Sequence, residues 1–102
     1  MQLKTGVDIR KVTVEMLFGI VIADSVFRKH DIDMVVTSVC DGKHGSGSKH
    51  YLGMGADIRI WGIEGKVDLI VSELKQAMNN NFDVVRESDH IHLEYDPTPR
   101  SK

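Results

Sequence analysis

Gly55-Ala56-Asp57-Ile58-Arg59-Ile60-Trp61 decides the fold. Side chains of a strand alternate between its two faces. Ala56, Ile58 and Ile60 therefore point to one side, and Asp57 and Arg59 to the other. His90-Ile91-His92-Leu93-Glu94-Tyr95 repeats the pattern, with Ile91, Leu93 and Tyr95 set against His90, His92 and Glu94. Two strands of this kind make a sheet with one apolar face and one face of acids and imidazoles. Charged groups are rarely buried without partners, so the second face is a surface or a site.

Outward from these strands, Val14, Leu17, Phe18, Val21, Ile22 and Val26 follow a 3, 4 spacing that predicts a helix over about 14–29 with that stripe buried. Thr13 precedes it as an N-cap, since its hydroxyl can accept a backbone N–H. Ile32 to Val39 reads as a buried strand. A second helix spans about 65–79, with Val67, Ile70, Val71, Leu74, Ala77 and Met78 as its stripe and the run Asn79-Asn80-Asn81 as its end. Phe82 to Glu87 is a third strand and His90 to Tyr95 a fourth. Together these predict one α+β domain over residues 1–102: a small antiparallel sheet with helices on one face and the charged side chains on the other.

Composition narrows the function. At 102 residues the chain holds one core and a shallow cleft. A net charge of -2 without a basic cluster argues against nucleic acid. The one cysteine, Cys40, excludes an internal disulfide, and its place at the end of an apolar strand makes it a packing residue rather than a nucleophile. The apolar run from Met16 to Val26 is too short for a bilayer and lacks the cleavage site of a signal peptide. The expected product is therefore a monomer with no membrane partner, cytoplasmic in the producing cell, and any action outside that cell needs release or export by another protein.

Five histidines and several carboxylates leave two readings open, solvated surface side chains or a metal site, since a His-x-His pair on a strand is a weak signal by itself. Catalytic zinc takes three protein ligands and leaves one position open. Asp57 and His92 face the same side if their strands are neighbours. His50 can return toward Asp57 because Gly53 and Gly55 permit a tight turn between them.

Ser48-Lys49-His50-Tyr51-Leu52-Gly53-Met54-Gly55-Ala56-Asp57 reads as S-x-H-x-x-G-x-x-x-D, and Asp89-His90-Ile91-His92 as D-H-x-H. In this order, with a helix between them, the two motifs resemble the zinc D-Ala-D-Ala carboxypeptidase family. That family includes vancomycin-resistance dipeptidases and phage L-alanyl-D-glutamate endolysins, and shares its fold with the amino-terminal Hedgehog domain. The resemblance covers about Val14 to Tyr95. It implies one zinc ion per chain on His50, Asp57 and His92, with Asp89 as general base and His90 as a catalytic neighbour of the metal. It also implies Ser38 and Ser48 at the substrate, and hydrolysis of an amide bond in peptidoglycan stem peptides, by carboxypeptidase or endopeptidase action. Glu94 lies on the same strand face, where a solvated charge is the first expectation and orientation of a ligand histidine the alternative.

The chain departs from the family where an S-G-x-R segment is expected, whose arginine meets the substrate carboxylate. Thr37-Ser38-Val39-Cys40-Asp41 offers Ser38 but no arginine. Lys43 is the nearest substitute, with His44 and Arg59 the next candidates. A non-catalytic zinc domain of the same fold, such as a phage structural or assembly component, is the competing expectation.

Overall fold

The computed structural model describes residues 1–40 and 53–97. The order of elements is β1 (Gln2–Leu3), α1 (Val14–Lys29), β2 (Val35–Ser38), β3 (Gly55–Arg59), a 3₁₀ turn (Glu64–Lys66), α2 (Val67–Ala77), β4 (Phe82–Arg86) and β5 (His90–Tyr95). The five strands form one sheet in the order β1-β2-β3-β5-β4. The domain is α+β, as expected, but the sheet is mixed. Pairs β2–β3, β3–β5 and β5–β4 are antiparallel, whereas β1 runs parallel to β2. Parallel neighbours need a long crossover, and α1 supplies it. Two exposed residues at a sheet edge carry no alternation to read, which is why β1 is invisible in the sequence.

Thr13 caps α1 as expected, its hydroxyl accepting from Met16 N at 3.1 Å. The helix has the expected bounds but buries a different face. Val14, Leu17, Phe18 and Val21 are exposed, while Met16, Gly19, Ile20, Ala23, Val26 and Phe27 are buried. Apolar residues run almost unbroken from Met16 to Ile22, so spacing alone cannot choose the side. Gly19 chooses it. A Cβ at that position would overlap the Phe82 ring on β4, so only a face bearing a glycine can approach the sheet this closely.

The second helix buries Val67, Ile70, Val71, Leu74 and Met78 as read, with Ala77 exposed. It ends before the asparagines, where Asn79 Oδ1 accepts from Asn81 N at 2.8 Å. Both helices pack against each other and against the sheet: α1 on β5 and β3, α2 on β4. A hydrogen bond of 2.7 Å between His30 Nε2 and Glu73 Oε1 ties the end of α1 to α2.

Between helices and sheet, Phe27, Met16, Met34, Ile58, Ile70, Leu74, Ile91 and Leu93 are fully buried. Each contributes about 1.5–3 kcal/mol of apolar transfer free energy. Cys40 is a free thiol packed against this core. Among the described residues no helix is long and apolar enough to cross a membrane.

Candidate metal and substrate site

The site lies on the two strands nearest the middle of the sheet. In the β3–β5 ladder Asp57 stands directly opposite His92, and Arg59 opposite His90. The expectation that Asp57 and His92 share a face on neighbouring strands therefore holds. Both strands are paired on both sides, which fixes their side chains more firmly than a loop would.

The side chains form a chain of alternating carboxylates and imidazoles. Asp89 Oδ1 lies 2.6 Å from His90 Nδ1. His90 Nε2 lies 3.4 Å from Asp57 Oδ1, and the same oxygen lies 2.9 Å from His92 Nδ1. His92 Nε2 then meets Glu94 Oε1 at 3.2 Å. Asp57 and His92 are mostly enclosed, with 16% and 19% of their side chains exposed, whereas Asp89 is 78% exposed in the turn before β5.

Asp57 Oδ1 and His92 Nδ1 thus converge as the carboxylate oxygen and imidazole nitrogen that zinc accepts. Glu94 holds the other ring nitrogen of His92, as a carboxylate commonly does for a metal-bound histidine. These two donors are of the kinds that zinc accepts. His50, Lys43 and Ser48 lie outside the described residues. Ser38 is the ladder partner of Asp57 across a shift in the β2–β3 register. That bulge puts Thr37 and Ser38 opposite one residue of β3, and Thr37 Oγ1 lies 3.4 Å from the Asp57 carbonyl oxygen.

Asp57 and Glu94 also set the charge of His92. The hydrogen bond to Asp57 raises its pKa above the usual histidine value, burial opposes this, and the bond to Glu94 adds to it. A raised folded pKa contributes stability that is fully present below the unfolded value, about 6.5. That contribution is lost as pH rises through the folded value. With chelator present, the melting temperature is therefore expected to fall as pH is raised above about 6.5, and His92→Gln to flatten that fall. Equal slopes for wild type and His92→Gln would remove His92 as the cause. Zinc requires the neutral imidazole, so its binding releases this proton and strengthens as pH rises.

A cavity of about 320 Å³ opens beside the chain of side chains, lined by Lys4, Thr37, Asp57, Arg59, Trp61, Asp89 and His90. Trp61 in this lining is 70% exposed, not a packing residue. Gly53, in the first motif, has φ 71° and turns the backbone as expected, while Gly55 is extended within β3.

Sequence reading did not find a second group. Ligand atoms of Asp83, Glu94 and Asp96 lie within 4.8 Å of one another, and this is the set of three or more that can hold a metal ion among the described residues. Its donors are all carboxylates, a chemistry that suits calcium, magnesium or manganese rather than zinc. Asp83 and Glu94 are ladder partners on β4 and β5, so knowledge of that register would have paired them. Comparison with protein-family models, curated proteins and solved structures finds no match to this chain.

Proposed function

We propose that the protein is a zinc-dependent peptidase that hydrolyses an amide bond in peptidoglycan stem peptides. The observation that carries this reading is the convergence of Asp57 and His92 on adjacent central strands, 2.9 Å apart, beside a cavity that also holds Asp89 and His90. His50, from the first motif, completes the ligand set in this reading. A purely structural site normally takes four protein ligands and needs no acid beside it.

Zinc, when bound, supplies Lewis acidity and a water that loses its proton near neutral pH. The chain's own residues do the rest. Asp89 accepts the water proton on its carboxylate and returns it to the leaving amine. His90 donates Nδ1–H to the Asp89 carboxylate and so orients it; in its doubly protonated form the ring also offers Nε2–H to the developing oxyanion. Glu94 fixes the ring of His92. The substrate is reached after release or export from the producing cell.

The test is incubation of zinc-supplemented protein with purified peptidoglycan, with mass analysis of what is released and elemental analysis of the protein. One zinc per chain and stem-peptide fragments are expected. Absence of metal after supplementation overturns the zinc site. Metal without fragments overturns the peptidase and leaves the non-catalytic zinc domain.

A further inference from the structure

Arg59 points from β3 to the same face as Asp57 and stands opposite His90 in the ladder. Its guanidinium lies over the Trp61 ring, 4.1 Å from the centroid. A guanidinium held against an aromatic ring can still offer its terminal N–H groups edge-on, the geometry suited to a carboxylate taken by two parallel hydrogen bonds. Among the described residues Arg59 forms no ion pair, and its Nε is buried with no hydrogen-bond partner. The acids that share its cavity are engaged elsewhere, Asp89 with His90 and Asp57 with His92. Lys4, extending from β1, adds a second cation to the same wall.

We infer that Arg59, stacked on Trp61, is the carboxylate-binding residue of this cavity, and that its ligands are peptides bearing a free α-carboxylate beside the bond to be cleaved. The role of the missing S-G-x-R arginine thereby moves from the β2 end to β3. The inference rests on the peptidase reading for the identity of the bond, but not for the carboxylate pocket.

Trp61 is the chain's single tryptophan, so its fluorescence reports directly on a ligand at Arg59. The probe is an N-acetylated dialanine ketomethylene isostere, which has no central amide to hydrolyse, prepared as the free acid and as the carboxamide. The acid is expected to give a saturable change in Trp61 emission at roughly 10- to 100-fold lower concentration than the amide, as a charge-assisted hydrogen bond pair implies. Arg59→Met is expected to abolish the difference with zinc content unchanged. Arg59→Lys should restore only part of it, because an ammonium offers charge without the planar fork.

Equal binding of acid and amide by the wild-type protein, a comparison that needs no variant, overturns the inference. So does a preference for the acid that survives in Arg59→Met. Release of peptidoglycan fragments without a preference for the acid would sink the role of Arg59 alone. Preference for the acid without fragments would sink the peptidase alone.

Discussion

Asp89→Ala is expected to lower kcat by roughly 10²–10⁴-fold while the protein keeps its zinc, the usual worth of a positioned general acid–base. The separation between metal content and rate follows from position. Asp89 sits in the turn before β5, with 78% of its side chain exposed, and touches the rest of the site through His90. Asp57 and His92 are enclosed in the ladder itself. Loss of Asp89 should leave that pair undisturbed, whereas His92→Ala should lose zinc and activity together. Asp89→Asn provides the control for shape, because an amide keeps the size and a hydrogen bond to His90 but cannot accept the proton. Steady-state rates on a stem-peptide substrate, with elemental analysis of each variant, check the outcome. A wild-type rate in Asp89→Ala would show that Asp89 is only a turn residue.

The charged face was legible because strand periodicity is two. Once Asp57 and His92 are each placed on the outward side of a strand, only adjacency remains to be supplied, and the β3–β5 ladder supplies it. The buried face of α1 was not legible, since apolar residues surround that helix from Met16 to Ile22. Its orientation follows from the contact of Gly19 with Phe82, a residue more than sixty positions away in the sequence. The same holds for the cavity. Arg59 reads as an outward strand residue and a reserve candidate for the substrate carboxylate, but the cavity around it is built with Lys4, Thr37, Asp89 and His90 from distant parts of the chain. The acidic group of Asp83, Glu94 and Asp96 likewise exists only through the β4–β5 register. Long-range pairing, rather than local pattern, decides each of these.

Gly53→Ala is expected to destabilise the fold by roughly 2–5 kcal/mol, combining left-handed backbone strain with overpacking. The position adopts φ 71°, which residues with a side chain rarely take. A Cβ there would also run into the Lys11 carbonyl, which is backbone and cannot rotate aside. The same residue anchors α1: its carbonyl accepts from Thr13 N at 3.0 Å, and Thr13 is the helix cap. Relief of the clash therefore pulls the start of α1 away from the strand that carries Asp57. Folded domains are stable by only about 5–15 kcal/mol, so the loss should be visible as a large drop in denaturation midpoint. The motif glycine thus has a steric reason that applies whether or not zinc is bound. Gly65→Ala is the matched control, since a Cβ there meets nothing within 4 Å and its φ is not positive. It should be neutral or slightly stabilising through reduced entropy of the unfolded chain. Urea denaturation of the two variants beside the wild type measures the contrast, and a Gly53→Ala midpoint as high as that of Gly65→Ala would refute the close approach of residues 11 and 53.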